Sequence, residues 1–227
     1  MTYEIFGGNL PAVAIRLEQG ESIYTESGGM SWMTNDIEMQ TNMKGGLMKG
    51  LGRMLSGESL FMATFTAAHP NQEITVASSF PGEILCLELS HGKEYICQKS
   101  AFLCAQSYVE RSTEIVKGIA GGLFGGEGFI MQRLKGSGLA FLEIDGSLRK
   151  VTLQPGERLK VDTGNVAVFE ASMSYTVQMV KGFKNVLFGG EGLFLTVLEG
   201  PGTAYLQTMT MPGFAGRIIP YLPKSSD

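Results

Sequence analysis

Leu123-Phe124-Gly125-Gly126-Glu127-Gly128-Phe129 recurs further along the chain as Leu187-Phe188-Gly189-Gly190-Glu191-Gly192-Leu193. A looser copy, Leu55-Ser56-Gly57-Glu58-Ser59-Leu60-Phe61, precedes the first by nearly the same interval. Self-similarity at a nearly fixed period is the signature of a repeat architecture. The likeness extends upstream, where Lys49-Gly50-Leu51, Lys117-Gly118-Ile119 and Lys181-Gly182-Phe183 precede the glutamates at almost identical spacing. Downstream, each glutamate opens an apolar run, a turn and a second apolar run. The turns are His69-Pro70-Asn71, Lys135-Gly136-Ser137-Gly138 and Glu199-Gly200-Pro201-Gly202. Glycine and proline supply the backbone angles that hairpins need there.

A second shared element reads Gly20-Glu21-Ser22-Ile23, Pro81-Gly82-Glu83-Ile84 and Pro155-Gly156-Glu157-Arg158. Each leads into a strand-like segment and then a turn of small residues. In the third copy Leu159 and Val161 alternate with charged residues, and Tyr175, Val177 and Met179 follow with the period of two that marks a half-buried strand. Asp145-Gly146 has the composition of a tight turn between copies. The reading is an all-β fold of three tandem β-rich repeats, about 15–79, 80–149 and 150–215, in one globular body of 1–227 with a C-terminal tail of 216–227. Helical signal is confined to the Lys-Gly segments, where glycine weakens it by about 1 kcal/mol per residue. A unit of this size has one apolar face and exposed edges and does not bury that face alone. Three copies with pseudo-threefold symmetry would cover one another and bring the three Lys-Gly loops to one end.

Composition narrows the function. The chain has 227 residues, 44% hydrophobic, with 18 basic and 22 acidic side chains for a net charge of −4. That supports a sizeable core and argues against DNA binding, which needs a basic excess. The 31 glycines with only 8 prolines fit a turn-rich fold. Three cysteines, Cys86, Cys97 and Cys104, with no C-x-x-C, point to buried thiols in a reducing cytoplasm. The start of the chain carries no secretory pattern, and no apolar stretch reaches the length of a spanning helix.

No catalytic constellation is present in the sequence. The two histidines, His69 and His91, each stand in a turn and are too few for a barrel metal site. The cysteine spacing does not match zinc. Neither a metal nor a cofactor is expected. The Gly-Gly-Glu-Gly pairs resemble a phosphate loop in glycine content alone, since a glutamate repels phosphate and strands rather than a helix follow. Glu58, Glu127 and Glu191 are read as structural, binding neighbouring backbone N–H groups or the loop lysines. Seven of 13 methionines fall between Met30 and Met62. For the segment 43–55, two readings stay open: an adaptable patch for a partner or an anionic membrane surface, and a loop whose methionines return to the core. The candidate interaction surface is Lys49, Arg53, Met54, Lys117, Phe124, Lys181 and Phe188.

The doubled Leu-Phe-Gly-Gly-Glu-Gly, the early Ser27-Gly28-Gly29-Met30 with Trp32-Met33, and Pro155-Gly156-Glu157 resemble bacterial members of the altered-inheritance-of-mitochondria, mitochondrial-biogenesis family. The resemblance covers about residues 3–215. It implies a fold similar to the trp RNA-binding attenuation protein, with short double-stranded β-helix-like units, and assembly into rings or trimers. Mitochondrial relatives are implicated in inner-membrane organisation, and no catalytic residues come with the family. The expectation is therefore a non-enzymatic oligomeric scaffold, a homo-oligomer such as a trimer or ring, cytoplasmic, with a protein partner or a peripheral membrane contact. The alternative is a small-ligand or RNA-binding module of β-ring type, although the basic and aromatic interleaving that RNA requires is missing. A barrel-pocket enzyme stands third.

Overall fold

Strand follows strand along the chain wherever β-branched and aromatic residues alternate with polar ones, and glycine or proline separates them. The computed structural model describes residues 1–26, 28–42, 62–114, 131–179 and 194–223. β1 (Thr2–Phe6) precedes three sets of six strands. The first set is β2 (Ala12–Leu17), β3 (Ser22–Glu26), β4 (Met30–Met33), β5 (Ile37–Asn42), β6 (Met62–Ala67) and β7 (Gln72–Ala77). The second is β8 (Gly82–Leu89), β9 (Tyr95–Gln98), β10 (Phe102–Gln106), β11 (Val109–Glu114), β12 (Met131–Gly136) and β13 (Gly138–Asp145). The third is β14 (Leu148–Leu153), β15 (Arg158–Asp162), β16 (Val166–Glu170), β17 (Ser174–Met179), β18 (Phe194–Glu199) and β19 (Gly202–Gln207).

One antiparallel pairing scheme governs all three sets. The first and third strands pair with the sixth, and the second and fourth pair with the fifth. The third strand of every set breaks register at the same place, between Met30 and Trp32, Phe102 and Cys104, and Val166 and Val168. Between first and second strands lies one kind of turn, closed by Glu21 N to Glu18 O, Lys93 N to Ser90 O and Glu157 N to Gln154 O at 2.9–3.0 Å. Gly20, Gly92 and Gly156 adopt the positive φ that this turn requires. The sequence reading is corrected here in the second set: Pro81-Gly82-Glu83 opens β8, and the corresponding turn is Ser90-His91-Gly92-Lys93.

Consecutive sets join edge to edge. β3 of the first set pairs with β10 of the second, and β9 of the second with β16 of the third. The result is two six-stranded sheets, β5-β6-β3-β10-β13-β8 and β11-β12-β9-β16-β19-β14, flanked by β1-β2-β7-β4 and β15-β18-β17. Three cores lie between these layers. The first set's core, with Ile15, Ile23, Phe65 and Ile74, borrows Cys104 and Phe141 from the second set. The second core, with Leu89, Tyr95 and Leu134, takes Ala167 and Val168 from the third. The third core, with Phe169, Leu198 and Ala204, takes Ile96 and Met131 from the second. Each set therefore completes its burial with side chains of a neighbour, as expected of units too small to bury an apolar face alone.

One helix departs from the expectation. α1 (Met211–Ile218) lies where the sequence reading placed the end of the last repeat and a tail. Thr210 caps it, accepting from Gly213 N at 3.2 Å, and Pro212 sits in the first turn. Its link to the body is an edge-on ring contact of Phe214 with Phe80 at 4.9 Å. Lys49, Arg53, Met54, Lys117, Phe124, Lys181, Phe188, Glu58, Glu127 and Glu191 all lie outside the described residues.

Candidate interaction surface

The edge-to-edge joints show what this chain uses to make a seam. In the first, Cys104, Ala105 and Gln106 oppose Thr25, Tyr24 and Ile23. Thr25 Oγ1 donates to the Leu103 carbonyl at 2.7 Å in a fully buried setting. The Tyr24 ring stacks on Phe102 with centroids 5.5 Å apart, and its hydroxyl donates to the Val109 carbonyl at 2.9 Å. The Arg111 guanidinium covers the same Phe102 ring at 4.6 Å and pairs with Glu26 across the seam at 2.7 Å. Burial pushes the Tyr24 hydroxyl up to about 12, against the pull of Arg111.

In the second seam Val168, Phe169 and Glu170 oppose Cys97, Ile96 and Tyr95. Gln98 takes the place of an ion pair. Its Nε2 donates to the carbonyls of Thr163, Gly164 and Val166 at 3.3, 3.0 and 2.7 Å. Gly164 O is also served by Gln207 Nε2 at 2.9 Å, so the other two carbonyls depend more on Gln98. Gln98→Ala is expected to cost about 1–3 kcal/mol, the penalty for buried acceptors left without a donor. Urea unfolding measures this, and a loss below about 0.5 kcal/mol, under the usual net worth of one hydrogen bond, would mean that water replaces the amide.

Beside this seam is an open hollow of about 430 Å³ whose lining includes His91, Lys93, Glu94, Arg133 and Glu170. Arg133 does not offer a free cation to an anionic ligand. It pairs with Glu94 at 2.7 Å and Glu114 at 2.9 Å, which raises its pKa further. Glu170 in turn accepts from Thr203 N at 2.9 Å.

A third joint of the same kind would unite β4 with β15. Among the described residues each of these strands ends its sheet, with no strand on its outer side. Burial differs accordingly. Tyr95–Gln98, Phe102–Ala105 and Val166–Phe169 are buried throughout, whereas Ser31, Trp32, Arg158, Lys160 and Asp162 are exposed. Trp32 is 53% exposed and has the Phe6 ring beside it at 6.4 Å. Tyr3, Ile5, Phe6 and Leu10 are exposed as well, giving the N-terminal sheet an apolar margin. Thr75 stands opposite Trp32 in the ladder and therefore on the same face. Its buried hydroxyl has no hydrogen-bond partner among the described residues. The equivalent pairs elsewhere are Cys104–Phe141 and Val168–Tyr205, and both pack into the core of the preceding set. Trp32 and Thr75 have no preceding set to enter.

The mitochondrial biogenesis AIM24 family matches residues 3–209, from β1 to just short of α1. The chain belongs to that family. It is 33% identical over 226 residues to an uncharacterised protein of Streptococcus pyogenes serotype M6, covering 96% of this chain and 89% of that protein. The crystal structure of a Streptococcus pyogenes protein solved by a structural genomics consortium superposes on this AIM24-family chain with a TM-score of 0.81 at 28% identity, over 97% of this chain and 99% of the other. Among the described residues no helix of the AIM24-family chain is long and apolar enough to cross a membrane.

Proposed function

We propose that this AIM24-family protein is a self-associating scaffold, without a catalytic role, built from three copies of one six-strand unit. The pairing scheme common to the three sets supports the copies. One observation carries the self-association: each chain ends in one free strand edge of each kind that its own seams join, β4 and β15, with Trp32 exposed on the first. Exposed edges and apolar margins are what proteins cover by association. Anion or RNA binding has less support, because Arg16, Lys135, Arg133 and Arg158 are each paired with a glutamate. A cytoplasmic protein that meets a partner or an anionic membrane surface through the Lys-Gly loops completes the reading.

Light scattering after size exclusion at micromolar concentration is expected to give a mass that is a multiple of 24.5 kDa. A single 24.5 kDa species at that concentration would overturn the proposal.

A further inference from the structure

We propose that the scaffold assembles head to tail, with β4 of one copy pairing antiparallel to β15 of the next in the register Trp32 to Val161, Met33 to Lys160 and Thr34 to Leu159. This rests on the self-association reading and names its surface and its partner, a second copy of this chain.

The two seams already made fix the register. The residue two past the third-strand bulge opposes Thr25 in one seam and Cys97 in the other. Thr25 and Cys97 in turn oppose Ala63 and Gln132 on the fifth strand. Ala63 and Gln132 follow Glu58 and Glu127 at the same interval at which Thr196 follows Glu191. Thr196 opposes Val161. Trp32 is the residue two past the bulge in β4, so its partner is Val161.

The side chains fit that register. Trp32 and Thr75 would enter the third core of the neighbouring copy from its open side, where Leu159 and Val161 are only half-buried. That is how Cys104–Phe141 and Val168–Tyr205 enter the first and second cores. On the opposite face Lys160 takes the position that Tyr24 holds in the first seam. Tyr24 lies beside Phe102 and Arg111, and their counterparts at the new seam are Met30 and Met39, which the lysine stem covers while its ammonium stays in water. Met39 is 52% exposed in the single chain. Exposed Lys160 and Asp162 make β15 a poor partner for unrelated strands, the usual protection of an edge. The interface is heterologous, so copies either close a ring or continue as a chain.

Cysteine pairing tests this directly. In a Cys86→Ala background, Met33→Cys and Lys160→Cys are made in separate chains, mixed, and exposed to a mild oxidant. A covalent dimer containing one chain of each kind is expected, because opposed residues of an antiparallel pair lie within disulfide reach. Trp32 is the sole tryptophan, so fluorescence reports the same seam: emission is expected to be blue-shifted in the assembly and to move to the red on dilution. Trp32→Glu, at an exposed position, is expected to leave thermal unfolding of the subunit unchanged and to reduce the mass to 24.5 kDa. An oligomer by light scattering without the mixed disulfide would overturn this seam and leave self-association standing. A monomer would overturn both. An intrachain disulfide when both cysteines are placed in one dilute chain would show that β4 and β15 meet within a molecule, and would overturn the intermolecular pairing.

Discussion

Replacing Phe141 by alanine is expected to lower the free energy of unfolding by about 3–5 kcal/mol, the usual cost of deleting a fully buried phenyl ring. Phe141 belongs to the second set by sequence and to the first core by packing. It is completely buried on β13, opposite Cys86 and Cys104, and Tyr3 of β1 meets its ring edge-on at 5.0 Å. The cavity left by Phe141→Ala would therefore open at the joint between two sets rather than within one. Three strand ladders hold its walls, so relaxation is limited and the cavity cost remains. Urea unfolding gives the loss. Amide exchange gives its place, with protection expected to fall first in β2 and β7 of the first set. A loss less than half of that expected for a buried phenyl ring, or exchange that rises evenly through all three sets, would mean that the sets do not depend on borrowed side chains in this way.

The strands and hairpins were legible because their signals are local. Pro70-Asn71, Gly136 and Gly200-Pro201 mark turns by backbone chemistry alone, and the Leu-Phe-Gly-Gly-Glu-Gly pair exposes the period directly. The turn at Ser90-His91-Gly92-Lys93 escaped because it lacks the glutamate of its counterparts, while Pro81-Gly82-Glu83 imitates their spelling at the start of β8. Helix α1 escaped because Gly213, Gly216 and Pro220 lower its propensity, although Thr210 before Pro212 is a helix-start signal.

The seams were harder to read than the strands. Thr25, Gln98 and Arg111 act across sets, and no local pattern announces a partner that far away in sequence. The open edges emerge only when the three sets are laid on one another, so that Lys160 stands where the others have Tyr24 and Ile96, and Trp32 where they have Cys104 and Val168. A charge and an exposed ring at positions that are buried elsewhere constitute the sequence signal, and it has meaning only once the register is known.

Raising the pH from 8 to 10.5 is expected to remove about 4 kcal/mol of stability through Cys97 and Cys104 alone. Both are fully buried free thiols, as the sequence reading expected. Burial pushes the Cys97 thiol from its ordinary 9.0 up to about 12, with Arg111 pulling the other way. Burial pushes Cys104 up as well, reinforced by Cys86. The folded chain therefore keeps both thiols protonated where the unfolded chain has lost those protons. Above pH 9 the unfolded state binds fewer protons than the native one, so stability falls as pH rises. The contribution is complete below about 9 and is lost progressively towards the folded values. At 1.5 pH units above 9, each thiol accounts for about 2 kcal/mol, since one unit corresponds to about 1.4 kcal/mol. Tyr24, raised from 10.0 to about 12 by its own burial, steepens the decline above pH 10. Urea unfolding of the wild type and of Cys97→Ala/Cys104→Ala at the two pH values isolates the thiols from every other alkaline titration. The double variant starts from a lower stability because its core is less full, and it is expected to lose about 4 kcal/mol less on the way to pH 10.5. Parallel losses in the two proteins would mean that the thiols ionise in the native state without opening it, and that water reaches the cores between the sets.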